Sequence, residues 1–220
     1  MWTWKHFGTV VLASCAVPGQ CNCAELVSPS EAGATELKTE TNALWNTGIG
    51  EGFRSSSKTL SLEVGPVVGV KIFGGSLRHD MVLSSLSYGQ MLTDTVGRGH
   101  WYRGNWELRA ELFGGVEYSP SSDWLIGLTP HLRYNFATGT RWVPFADIGA
   151  GVSATSIREP DLGNTFEFNL QPAVGTQVFL RDNLALTIET RLLHVSCAGI
   201  WSPNHGLNGV LPMLGVSLLF

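Results

Sequence analysis

Residues 60–72 read Leu60-Ser61-Leu62-Glu63-Val64-Gly65-Pro66-Val67-Val68-Gly69-Val70-Lys71-Ile72. Every even position is apolar, while the odd ones include Ser61, Glu63, Gly65, Gly69 and Lys71. Successive side chains of a strand point to opposite faces, so this stretch reads as a strand with one apolar face. The same period governs Trp106, Leu108, Ala110, Leu112, Val116 and Tyr118 against Asn105, Glu107, Arg109, Glu111 and Glu117. It returns from Ile126 to Phe136 against Thr129, His131, Arg133 and Asn135. Met81 to Leu92 alternates weakly; Trp142 to Ala154, Phe166 to Leu180, Leu184 to Ser196 and Gly209 to Phe220 bring the total to eight. Turn-forming stretches such as Ser119-Pro120-Ser121-Ser122-Asp123, Ala137-Thr138-Gly139-Thr140 and Arg181-Asp182-Asn183 join neighbours in antiparallel fashion. The expected fold is all-β, an eight-stranded antiparallel up-and-down barrel.

The pattern alone also suits a soluble lipocalin-type barrel, with its apolar face inward. Composition favours a membrane. The chain has 220 residues, 44% of them apolar, and only 15% are charged, against about 25% in soluble domains. The segments run ten residues or more, enough to cross a bilayer when tilted. The polar face is poor in Lys and rich in Gly, Ser, Asn and paired Glu and Arg, as a packed lumen would be. Glu107, Arg109, Glu111, Arg133, Asp147, Glu167, Glu189 and Arg191 are then expected to neutralise one another inside a transmembrane β-barrel too narrow for a diffusion channel. No apolar run after the N-terminus reaches the roughly 18 residues of a membrane helix. A net charge of −4 argues against nucleic acid as a partner.

Residues 1–24 read as a secretory signal peptide, with Lys5 and His6 before an apolar run from Phe7 to Val17 and small residues near Cys23-Ala24. Cleavage there removes Cys15, Cys21 and Cys23 and leaves Cys197 alone, so the cysteines form no scaffold. Leu12-Ala13-Ser14-Cys15 also resembles a lipoprotein box, with lipidation at Cys15 as the alternative. Residues 25–57 form a polar periplasmic leader in which Trp45 and Phe53 are expected to pack locally, and residues 58–220 form the barrel.

One anomaly carries chemistry. In the seventh segment Leu186, Ile188 and Leu192 share a face, Thr187, Glu189 and Arg191 take the other, and His194 and Ser196 fall on the apolar side. Polar groups on a lipid-facing stripe are costly unless they lie at the membrane edge or perform a task. In the eighth segment the outward set is Val210, Leu214, Val216, Leu218 and Phe220, and one step back it includes Asn208. Three polar residues are therefore expected to meet outside the barrel. The alternative is that His194 and Ser196 are interfacial residues bonded to the 197–207 loop.

The run Arg191-Leu192-Leu193-His194-Val195-Ser196-Cys197-Ala198-Gly199-Ile200, followed by Pro203-Asn204-His205-Gly206-Leu207-Asn208, resembles the active-site segment of the lipid A 3-O-deacylase family of outer-membrane barrels. The family pattern is approximately His-x-Ser-Asn-Ala-Gly, then Pro-Asn-x-Gly-x-Glu. The resemblance implies an esterase of the bacterial cell outer membrane, acting on lipid A within lipopolysaccharide. Ser196 would attack the 3-O ester and His194 would take its proton. Two positions depart from the family. Asn208 stands where the family has Glu, and on charge alone Asn208→Glu is expected to keep or raise turnover. Cys197 replaces the Asn associated with the oxyanion hole, whose donor would then come from Ala198 and Gly199 backbone N–H groups or from Asn204. Cys197 as nucleophile is a minor alternative, since its parity points it away from Ser196. The ending Gly215-Val216-Ser217-Leu218-Leu219-Phe220 resembles the signal read by the barrel-assembly machinery. No cofactor is implied. His79-Asp80, His100 and His205 lack metal spacing, and Gly74-Gly75 and Gly149-Ala150-Gly151 look like strand or turn glycines. The rival reading keeps the fold without turnover: a catalytically silent structural or lipid-binding barrel.

Overall fold

The computed structural model describes residues 53–220; the expected signal peptide, Trp45 and most of the expected leader lie outside the described residues. Eight strands follow one another: β1 (Lys58–Gly69), β2 (Asp80–Met91), β3 (Gly104–Ser119), β4 (Trp124–Phe136), β5 (Trp142–Thr155), β6 (Phe166–Arg181), β7 (Leu184–Ser196) and β8 (Leu207–Leu219). Each pairs antiparallel with the next, and β1 closes on β8 from Thr59↔Leu219 to Gly69↔Gly209. Closure leaves no strand edge unpaired, the condition for a sheet to sit in hydrocarbon. Both the start of β1 and the end of β8 lie at one end of the barrel, with Lys58 N–H donating to Phe220 O at 2.8 Å.

The expected alternation holds, with the apolar side outward. Leu62, Val64, Leu112, Val116, Leu128, Ile148, Val174 and Leu214 are exposed, while Glu63, Arg109, Glu111, Arg133, Asp147 and Arg191 are buried. Aromatic side chains line the outer rims at both ends: Trp106, Tyr134, Phe136, Trp142 and Phe220 at the termini, and Tyr118, Trp124, Phe166 and Phe168 at the opposite end. Paired belts of this kind mark the two water interfaces of a membrane barrel.

The lumen is filled with ion pairs at mid-height. Arg133 donates to Asp147 (2.7 Å) and Glu189 (3.1 Å), and Arg191 to Glu111 (2.7 Å) and Glu189 (2.7 Å). Arg109 reaches Asp147 (3.2 Å) and Glu63 (3.3 Å), and His131 bridges Asp147 (2.8 Å) and Glu111 (3.0 Å). Interleaving opposite charges offsets the cost of taking each from water. Glu107 pairs more loosely, 4.0 Å from Arg109 Nε, and accepts from Thr59 and Asn135, whereas neither carboxylate oxygen of Glu167 has a hydrogen-bond partner among the described residues.

The lumen is not polar throughout, as the sequence had suggested. Met81, Leu83, Phe113, Leu125, Leu193, Val195, Leu207 and Leu211 close the end away from the termini with an apolar cap. Phe53, Met91, Val143, Phe179, Ala185 and Leu219 close the other. Phe53, from the expected leader, is a plug: its ring meets Phe179 edge-on at 5.7 Å and its carbonyl accepts from Asn105 at 3.1 Å. The apolar inward residues of β2 explain why that segment alternated weakly.

β1 stops three residues before the alternation does. Val70 N–H still donates to Asn208 O at 2.9 Å, but the left-handed backbone of Phe73 (φ 52°) and Gly74 (φ 95°) turns the chain back across the barrel rim. Ile72 and Phe73 thus belong to the β1–β2 loop.

Candidate active site

β7 delivers His194 and Ser196 to the rim opposite the termini, both half-buried and on the same outward face as exposed Leu192. The neighbouring Leu193 and Val195 point inward to the apolar cap. Directly across the ladder from His194 stands Asn208 of β8, and its Oδ1 lies 2.7 Å from His194 Nδ1. Asn208 is outward by parity yet only 4% exposed, because the β1–β2 loop folds over it. Its Nδ2 donates to Ile72 O at 2.7 Å.

These two contacts orient the imidazole. A backbone carbonyl only accepts, so the Asn208 amide must turn its NH₂ toward Ile72 and its oxygen toward His194. Nδ1 of His194 must then carry the hydrogen, which leaves the lone pair on Nε2. The serine lies two residues along the same face. Among the described residues Ser196 Oγ has no hydrogen-bond partner, so the serine is near the base without being bonded to it.

The β1–β2 loop contributes more than a carbonyl. Phe73 is 80% exposed, and its ring meets His194 edge-on with centroids 6.1 Å apart. Gly75 sits so close that a Cβ there would lie 3.3 Å from Asn208 Nδ2 and 3.0 Å from Gly206 O. Gly74-Gly75 is therefore a turn pair that lets the loop reach the amide. Exposed Ile72, Ile200 and Trp201 add an apolar margin.

Beyond Ser196 the chain makes a tight turn, with Ile200 N–H donating to Cys197 O at 3.0 Å. Both central residues, Ala198 (φ 52°) and Gly199 (φ 80°), are left-handed. For Ala198 that conformation costs about 1 kcal/mol or more. Their N–H groups make no hydrogen bond among the described residues. The other two candidate residues are bonded within the loop, Asn204 through its oxygen rather than its NH₂. Asn204 Oδ1 accepts from Cys197 N–H at 3.0 Å. Cys197 is buried, its thiol donating to Trp201 O (3.1 Å) and its sulfur accepting from Trp201 N–H (3.3 Å).

Sequence reasoning placed His194, Ser196 and Asn208 on one outward face, where they stand in the structure. It missed Ile72 and Phe73, whose loop position broke the strand reading; the signal available was Gly74-Gly75, a turn pair. Among the described residues no group of three or more His, Cys, Asp or Glu side chains is arranged so that it could hold a metal ion.

An apolar exterior with aromatic belts, a packed lumen and a polar rim site facing outward define the class: an eight-stranded β-barrel protein of the outer membrane. The family model for lipid A 3-O-deacylase (PagL) matches residues 73–217. The chain belongs to this family. Among solved structures, the outer membrane enzyme PagL superimposes with a TM-score of 0.51 at 20% identity, over 73% of this chain and 98% of that one. Neisserial surface protein A gives 0.52 at 15% identity, over 74% of this chain and 97% of that one. At such identities these likenesses speak for the barrel fold alone. No curated protein matches the chain significantly.

Proposed function

We propose that the protein hydrolyses the ester at the 3-position of lipid A, with Ser196 as nucleophile, His194 as general base and Asn208 as the group that orients the base. The observation that carries this reading is the Ile72–Asn208–His194 relay, with its 2.7 Å contacts. It leaves Nε2 unprotonated on the face that carries Ser196. Ser196 Oγ attacks the acyl carbonyl as its proton passes to Nε2, and the tetrahedral oxyanion forms beside the free N–H groups of Ala198 and Gly199. As the acyl C–O bond breaks, the imidazolium protonates the departing sugar oxygen to a hydroxyl, and water, deprotonated by the same nitrogen, releases the acyl chain from Ser196. With the termini on the periplasmic side, the rim site faces the outer leaflet, where headgroup and acyl chains meet. An outward-facing site suits a substrate that is itself a membrane lipid, and Phe73, Ile200 and Trp201 offer it an apolar margin.

A second reading, a barrel without turnover, draws on the uncharged Asn208 and on the missing Ser196–His194 hydrogen bond. Mass spectrometry of lipid A from cells expressing the protein separates the two. Loss of one 3-hydroxyacyl chain, abolished by Ser196→Ala in a barrel that still assembles, supports the esterase. Lipid A of unchanged mass supports the silent barrel.

A further inference from the structure

The Ile72 carbonyl can orient Asn208 only while the β1–β2 loop stays in place, and one residue remote from the reacting atoms holds it there. Asp161, in the β5–β6 connection, is fully buried. Its carboxylate accepts from Ser76 N–H (2.6 Å), from the Ser76 hydroxyl and from Leu77 N–H (2.9 Å), and it faces His79 Nε2 at 3.0 Å. Its backbone carbonyl accepts from His205 N–H (3.0 Å) and Gly206 N–H (3.2 Å). The side chain thus binds the loop that carries Ile72, and the main chain binds the loop that leads into Asn208. Gly206 itself lies against the base: a Cβ there would meet His194 Cε1 at 3.1 Å.

The clamp is anchored in turn. His79 Nδ1 lies 2.5 Å from Glu117 of β3, whose other oxygen accepts from Ser121 at 2.7 Å. The adjacent Leu162 is buried in the apolar cap and bridges to Asn204, the residue that holds Cys197 N–H. Burial alone would raise the Asp161 pKa, but the Ser76 and Leu77 donors, with His79, hold it below the ordinary carboxylate value. The clamp is therefore ionised at neutral pH.

We propose that Asp161 is a positioning residue for the reaction: by tying the β1–β2 loop to the β7–β8 loop it keeps Ile72 O on Asn208 Nδ2, and so keeps the hydrogen of His194 on Nδ1 and the lone pair on Nε2. The inference rests on the Ser196/His194 reading above and adds a residue that touches neither substrate nor base. Without the clamp the loop drifts, the amide is free to turn over, and the wrong imidazole tautomer becomes populated.

The test uses the full-length protein in detergent micelles with lipid A as substrate. Asp161→Asn preserves size but sets an NH₂ group against the Ser76 or Leu77 donors. It is expected to lower kcat about tenfold while KM changes little, well short of the roughly 10⁴-fold loss known for a wrong tautomer in a serine-protease triad. Imidazole ¹⁵N shifts of His194 should move from the Nδ1–H pattern toward a mixture of tautomers. Ser76→Ala, which removes one donor, should move both readouts the same way by less. In an Asn208→Ala background, Asp161→Asn should cost nothing further, because its effect passes through that amide. An unchanged tautomer pattern in Asp161→Asn and Ser76→Ala, or losses that multiply in the double variant, would overturn the clamp. If Asp161→Asn fails to assemble, Ser76→Ala decides alone. The tautomer readout needs no turnover, so failure of the esterase reading and failure of the clamp are seen separately.

Discussion

Asn208→Ala is the perturbation with the most legible cost. It removes the acceptor 2.7 Å from His194 Nδ1 and the donor to Ile72 O in one step. Ile72 O keeps a partner, because Gly75 N–H also donates to it at 3.1 Å, so the β1–β2 loop should survive. The imidazole does not: its Nδ1–H loses its acceptor just as the ring becomes cationic. A hydrogen bond to a charged group is worth about 1.5–3 kcal/mol, and each 1.36 kcal/mol is about tenfold in rate. The variant should therefore lose about 10- to 150-fold in kcat. Detergent-solubilised protein and lipid A, with released fatty acid followed by mass spectrometry, give the number. A change under threefold would refute the orienting role. A companion variant probes the relay from the other side. Asn208→Asp has nearly the same shape but sets a carboxylate oxygen against Ile72 O. A charge-assisted bond to the imidazolium gains about 1 kcal/mol over a neutral one, and losing the partly buried Nδ2 bond costs about 1–3 kcal/mol. The geometry thus reverses the expectation drawn from charge alone: a carboxylate at 208 should leave turnover at or below wild type. A tenfold rise would show that Ile72 O does not constrain this position.

Three further outcomes follow from the fold. Unheated protein should run differently from boiled protein on a denaturing gel, since a closed barrel resists detergent; identical mobility would argue against closure. Arg191→Met takes the guanidinium from Glu111 and Glu189 and leaves them only His131 and Arg133, so breaking these buried pairs should destabilise the barrel by about 3–5 kcal/mol, read as a lower urea midpoint for that gel shift. Asp161 is depressed in the native state, so its stabilisation is present above the unfolded value of about 3.9 and is lost as pH falls through the lower native value. The gel-shift midpoint of wild type minus that of Asp161→Asn should be constant from neutral pH down to about 4 and shrink below it; a difference that shrinks toward pH 7 would contradict the sign.

Strict alternation made most of this architecture readable in the sequence, because a membrane barrel sorts side chains by face along every strand. Leu62, Val64, Glu107, Arg109, His194 and Ser196 all point as their parity said. Polarity does not report pairing, however. Val70 and Ile72 continue the apolar rhythm of β1 after the ladder has ended, so the loop that completes the site read as strand. The apolar caps were hidden for a related reason: Met81, Leu83, Leu193 and Val195 are inward residues that look like lapses in a polar face. Phe53 plugs the barrel through contacts with Phe179 and Asn105, which no local pattern announces. Ile72 acts on Asn208 through a backbone carbonyl, which leaves no residue signature at all. Asp161 lies in a connection without periodicity, and its partners come from two other loops of the chain.

The central claim is that Ser196, outside the barrel, is an activated nucleophile. Labelling the folded protein with a lipophilic fluorophosphonate, followed by peptide mapping, tests it most directly, because the probe reacts with a serine only where a base removes its proton. The account predicts a single adduct on Ser196 that disappears in His194→Ala and weakens in Asn208→Ala. An unlabelled protein, or an adduct on Cys197 or any other residue, would contradict it.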